Sequence, residues 1–165
     1  MSGTRQALAA RCRLIEEAYE FCLAYAAQGL SGTEGSGAGG QAREWLGRLA
    51  GALVDLGEGY GALVETEGLE PASRYRAFVA LLDRDARAAH ALVDLVLAQP
   101  VISSQLVDNL NASIHVRTLL TDLFVIDEIL ATSTPGHPVA GNAAGGATAG
   151  AAGGEAADAE AAGRP

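Results

Sequence analysis

The stretch PASRYRAFVALLDRDARAAHALVDLVLAQ, from Pro71 to Gln99, decides the fold class. Tyr75, Phe78, Leu82, Ala86, Ala89, Val93 and Val96 recur at steps of three and four, the spacing that puts apolar groups on one face of an α-helix. Pro71 suits the first helical turn, where the N–H it lacks would have no partner anyway. Pro100 stops the helix, because it cannot continue the hydrogen-bond ladder. The same stretch carries the densest set of ionisable groups in the chain: Asp83, Arg84, Asp85, Arg87, His90 and Asp94. At ~100° per residue, Asp83, Arg87, His90 and Asp94 share one edge beside the core. Arg84 points elsewhere, and Asp85 leans towards the buried side. A solvated stripe explains the four; it does not explain Asp85.

Three more helices are expected around this one. Over residues 4–29, Leu8, Cys12, Ile15, Tyr19, Cys22 and Ala26 form one stripe, and Leu14, Ala18, Phe21 and Tyr25 a second beside it. The two spread over roughly 200° of the helix, wider than the ~100° a surface helix needs. Either this helix sits deep among its neighbours or the second stripe makes an oligomer contact. Residues 42–66 form the next, with Trp45, Leu46, Leu49, Leu53, Leu56, Tyr60, Leu63 and Val64 facing the core. Gly57 and Gly61, four apart, give it a smooth edge that another helix could approach closely. A fourth helix starts at a Ser103 or Ser104 cap and runs to about Ala131. Its predicted buried face holds Leu106, Leu110, Val116, Leu120, Leu123, Phe124 and Leu130.

Between the first two helices, residues 30–41 (LSGTEGSGAGGQ) read as a flexible Gly/Ser loop. No GK[ST] follows and no strand precedes it, so it is not a phosphate-binding loop. From 132 to 165 the sequence is rich in Ala and Gly without periodic large apolar groups, which predicts a disordered tail. The short connections after the second and third helices make neighbours antiparallel. The expectation is therefore an all-α, four-helix, up-and-down antiparallel bundle over residues 1–131.

Composition narrows the function. Of 165 residues 49% are hydrophobic, enough for a core, but only 5% are aromatic, so Leu, Val, Ala and Ile must build it. The net charge is −9 and every basic residue is arginine. A negative surface repels nucleic-acid phosphates and anionic lipid, which disfavours DNA and membrane partners. No run approaches the ~18 apolar residues of a membrane span. Cys12 and Cys22, about 15 Å apart along one helix, cannot form a disulfide there and read as small core residues in a reducing, cytoplasmic compartment.

Several chemistries can be weighed on motifs. A di-iron bundle needs Glu-x-x-His on two helices, and none occurs; zinc would need convergent His or Cys ligands, also missing. Asp108, His115 and Asp122 share a stripe that points away from the apolar face and reads as solvated. No metal or cofactor is therefore expected. The seven residues Arg84-Asp85-Ala86-Arg87-Ala88-Ala89-His90 resemble the R-x4–6-H motif of the HEPN helical RNases. That resemblance implies Arg84 and His90 acting on an RNA phosphodiester across a homodimer interface, with Asp85 in support. Six helical steps leave the two side chains roughly 120° apart and about 9 Å separated along the axis. AAHALVD is similar to the A-x-H-x-L core of histidine-phosphotransfer domains, but Asp94 would repel a phosphoryl group on His90. HVRTLLT is similar to the HELRTPLT box of sensor kinases, one residue short and without its Pro.

No complete catalytic site emerges. The reading is a non-catalytic cytoplasmic interaction protein, binding a protein partner or itself through Leu14, Ala18, Phe21, Tyr25, Gly57 and Gly61. RNA enters only if the HEPN resemblance holds.

Overall fold

The computed structural model describes residues 3–31 and 36–133, and among these all regular structure is α-helical. Six helices replace the four expected: α1 Gly3–Ala26, α2 Ser36–Leu53, α3 Leu56–Glu67, α4 Ala72–Leu97, α5 Ser104–Ala112 and α6 Ile114–Thr132. The predicted tail lies outside the described residues from 134 onward. Half of the predicted loop is instead the start of α2. Gly37 and Gly40 are helical there because Ala38 and Ala42 pack into the core, and burial offsets the poor propensity of glycine. No helix among the described residues is long and apolar enough to cross a membrane.

Both departures in helix number are breaks in a predicted helix. The first falls at Val54–Asp55, where Asp55 takes a left-handed backbone (φ 54°), uncommon for a residue with a side chain. Arg11 of α1 supports the break. Its Nε and Nη2 donate to Ala52 O at 3.1 and 2.8 Å, and Nη2 also donates to Val54 O. The second falls at Ser113, whose extended backbone (ψ 131°) ends α5 and whose hydroxyl accepts the His115 N–H at 3.3 Å. A serine that captures a nearby N–H competes with the helix ladder for it.

The breaks redirect packing. α2 and α5 lean chiefly on α1, whereas α3 and α6 lean chiefly on α4. The second break also shifts the helical phase. Leu119 and Ile126 are buried, while Phe124, expected inside, is 56% exposed. One core runs through the six helices, including Ile15, Ala18, Leu46, Leu56, Leu82, Val93 and Leu123. The predicted Ser103 cap is present, its Oγ accepting from Leu106 N at 3.1 Å.

Helix ends are tied together from a distance. None of the six helices has a basic residue in its own last turn. The C-terminal carbonyls, which have no partner within the helix, take arginines from neighbours. Arg11 serves α2, as above. Arg43 of α2 donates to Leu97 O at 2.5 Å and Gln99 O at 2.7 Å beyond α4. Arg5 of α1 donates to Leu130 O of α6 at 2.8 Å and pairs with Glu67 of α3 at 2.5 Å. At the opposite end, Tyr25 Oη donates to Ile102 O and Ser104 Oγ to Tyr25 O, both at 2.7 Å.

Candidate functional site

Helix α4 sends the six ionisable residues between Asp83 and Asp94 to two different neighbours. Asp83, Arg87 and His90 face the α2/α3 break, where they line a cavity of about 200 Å³ with Leu53, Val54 and Asp55. Arg87 Nε donates to Asp83 Oδ2 at 2.9 Å, and His90 Nδ1 lies 3.2 Å from Asp94 Oδ2. An adjoining cavity of about 330 Å³ shares Asp83 and Arg87 and is crossed by an exposed Arg76–Glu65 pair at 2.9 Å. The cations of this edge are matched by acids one helical turn away or on α3. Such exposed pairs contribute only about 0.2–1 kcal/mol each. The edge offers no nucleophile beside a base.

The opposite edge faces α6. Asp85 is buried, only 8% exposed, and its Oδ1 accepts from Arg84 Nε at 3.2 Å. Across the seam Asp85 lies near enough to Asp122 of α6 for its charge to act on that carboxyl. Burial first, then the charge and hydrogen bond of Asp85, push the Asp122 carboxyl above its ordinary value, while Arg84 pulls it down. Asp122 Oδ2 is buried and has no donor facing it. Two neighbouring carboxyls disfavour ionising together, and the Arg84 guanidinium beside them opposes that effect on Asp122. Asp122 was expected on a solvated stripe with Asp108 and His115. The latter two are exposed, but Asp122 turns inward because α6 packs against α4 on that side.

Around this acid pair the seam is apolar and open to water. The register is set by two points, Asp85 opposite Asp122 and Tyr75 Oη 3.4 Å from Ser133 Oγ. Continuing it places Leu81 beside the Val125–Ile129 turn and Leu95 beside the start of α6. On the helical wheel Leu81, Ala88, Leu92 and Leu95 flank Asp85, and Thr118, Val125 and Ile129 flank Asp122. Leu81, Leu95, Ile114, Val125 and Ile129 are between 37% and 72% exposed.

A second polar cluster lies inside the bundle. Cys12 Sγ is 3.1 Å from Tyr60 Oη, which donates to Asp127 Oδ1 at 3.3 Å. Burial pushes the Cys12 thiol up to about 11, with the Tyr60 bond acting the other way, and raises Tyr60 further still. Burial alone pushes Cys22 up to about 12. The thiols therefore stay protonated, and the chain runs from buried Cys12 and Tyr60 out to an exposed Asp127 with no thiolate nucleophile.

The remaining predicted positions are placed as follows. Arg84 faces the α6 seam and His90 the α2/α3 break, so within the chain they do not converge. Ala18 and Tyr25 are buried, and Leu14 and Phe21 pack against the core. Phe21 stacks on Trp45 of α2 at 5.4 Å, so the wide arc of α1 is covered from within. Gly57 is buried against Asp83 of α4, and Gly61 lies 3.9 Å, measured from an added Cβ, from Val79 of the same helix. The smooth edge thus receives α4. Among the described residues no group of three or more His, Cys, Asp or Glu side chains could hold a metal ion. Comparison with known protein families, curated proteins and solved structures finds no match.

Proposed function

We propose that the chain is a non-catalytic helical interaction protein that docks a partner through the α4/α6 seam. We read α2 with α3 and α5 with α6 as two broken rods of a four-rod, up-and-down antiparallel bundle, housed in the reducing cytoplasm where the buried thiols persist. One observation carries the docking reading: Leu81 and Leu95 of α4 and Ile114, Val125 and Ile129 of α6 stay exposed, and the helical wheel puts them on the sides of the two helices that flank Asp85 and Asp122. Scattered exposed apolar residues are ordinary, but a contiguous group marks a contact surface. Covering such side chains recovers about 25 cal/mol per Å², a gain the isolated chain forgoes. An RNase acting through Arg84 and His90 would need both at one interface, and His90 faces away from this seam.

The test is the native size of the full chain in extracts of cells that make it, for wild type and for Leu95→Glu combined with Val125→Glu. The wild type is expected in an assembly larger than one chain. The double variant is expected at monomer size with its helical circular dichroism unchanged. A wild type of monomer size, or an assembly that survives both substitutions, overturns the reading.

A further inference from the structure

We propose that the cavity between α1, α3 and α6 binds a small organic cation: a primary ammonium carried on one compact apolar ring or chain. The cavity holds about 160 Å³. An apolar cavity of that size in a protein interior accepts a benzene-sized body of about six carbons. Its lining has two levels. Leu8, Tyr60, Leu63 and Leu130 are buried and form the inner wall, whereas Asp127 and Ala131 are exposed and form the rim. The gap exists because α1 and α6 meet only sparingly and turn alanines, Ala9 and Ala131, towards it. A site that is apolar with a few fixed polar groups takes a ligand whose body packs inside and whose polar end is held at the rim. It shares no residue with the α4/α6 seam, so it stands apart from the docking reading.

The polar groups at the cavity select the head. Tyr60 Oη gives its only proton to Asp127 Oδ1 at 3.3 Å, and Cys12 Sγ stands 3.1 Å from the same phenol oxygen. A buried phenol thus fixes the orientation of Asp127, while Oδ2 has no donor among the described residues. A carboxylate accepts and cannot donate. The cation at the cavity, Arg5, does not fill this role: Nε and Nη2 go to Glu67 and Nη1 to Leu130 O. Glu67 offsets its charge, and Glu16 of α1 lies close enough to Asp127 to feel that carboxylate. The rim is therefore net negative. An ammonium supplies donors and the opposite charge together, and bonds of that kind are roughly twice as strong as neutral ones. A carboxylate head of the same size meets like charge, and a hydroxyl brings one donor without the charge.

Amide chemical-shift titration of the purified full chain at pH 7 tests the proposal, with benzylamine, benzyl alcohol and benzoate as probes of one size and three head groups. Benzylamine is expected to saturate with a dissociation constant on the order of 1 mM, as suits so small a ligand, and to shift the amides of Leu63 and Leu130. Benzyl alcohol and benzoate should bind at least roughly tenfold more weakly, the worth of one charge-assisted hydrogen bond. Asp127→Asn should weaken benzylamine by the same factor and leave benzyl alcohol within about threefold, which a merely structural loss would not do. Ala131→Leu fills the cavity from its rim and should abolish binding of both, whereas Thr121→Leu, exposed on the same helix and outside the lining, should change neither. All three substituted positions are exposed, and the spectra themselves report whether each variant keeps the fold. No saturation by benzylamine below about 30 mM, benzoate binding as tightly as benzylamine, or wild-type affinity in a folded Ala131→Leu chain overturns the proposal.

Discussion

Two glycines four residues apart on α3 should respond to alanine with opposite signs. A methyl built on Gly57 overlaps Asp83 Cβ of α4 and comes within 2.7 Å of Oδ1 and 2.8 Å of Cγ. The atom it meets first is anchored to the α4 backbone and cannot swing aside, so α3 and α4 must separate. Overpacking of this kind costs about 1–3 kcal/mol, and forcing apart two helices that otherwise touch along their length belongs at the upper end. Alanine returns about 1 kcal/mol of helix propensity, which leaves Gly57→Ala less stable by about 2 kcal/mol. At Gly61 the nearest atom to an added methyl is Val79 Cγ1 at 3.9 Å, an ordinary contact. There the propensity gain stands alone, and Gly61→Ala should be more stable by about 1 kcal/mol. Urea unfolding followed by circular dichroism reads both, provided the m-value is unchanged. Asp83→Gly removes the atom that collides, so in the double variant with Gly57→Ala the two losses should be less than additive. A Gly57→Ala protein as stable as wild type, or additive losses in the double variant, would refute the close approach of α3 to α4.

Asp122→Asn keeps the size and polarity of the side chain but removes the ionisation. The folded carboxyl of Asp122 titrates above its ordinary value of 3.8, so the native state holds a proton that the unfolded chain has already released. Wild-type stability should therefore fall as pH rises from 3.8 through the raised value and level off beyond it. The stability advantage of Asp122→Asn should grow over that window; a difference that is flat from pH 4 to 7 in urea unfolding counts against a raised Asp122 carboxyl. For the thiols, Cys12 at about 11 and Cys22 at about 12 are buried and protonated. Iodoacetamide at pH 8 should leave both unmodified in the folded chain and label both in urea, read by mass; rapid labelling of native Cys12 would show an open, activated thiol.

Much of the fold was legible because it depends on local spacing. The stripe Leu82–Ala86–Ala89–Val93–Val96 is buried as its period requires, and Ser103 caps as its chemistry allows. The breaks were not legible. Nothing in the residues around Asp55 or Ser113 forbids a continuous helix; the chain turns there because the two halves of each rod settle on different neighbours. Phe124 was misplaced for that reason, since its expected burial assumed an unbroken phase through Ser113. The candidate site divides in the same way. Asp85 stood out by its position on the α4 wheel, but Asp122 looked solvated until α6 was laid against α4. The apolar flank of Asp122 formed by Val125 and Ile129 was the available signal. Its meaning depended on knowing which helix lay beside it.

The sequence alone determined that the chain is helical, where the buried stripe of α4 runs, and that Asp85 sits on its margin, because these follow from a period of 3.6 residues and from which groups water tolerates. Tertiary structure decided what those residues do. The wide arc of α1 became core because α2 and α5 cover it, and the glycine edge of α3 became a seam for α4 of the same chain. The arginines show the division most plainly. Their positions in the sequence carry no periodic signal, yet Arg5, Arg11 and Arg43 each end on carbonyls of a different helix terminus. Orphan carbonyls at a helix end accept whichever donor packing brings near, and a guanidinium can serve two at once. That pairing exists only when helices far apart in sequence come together, so no reading of one segment could contain it.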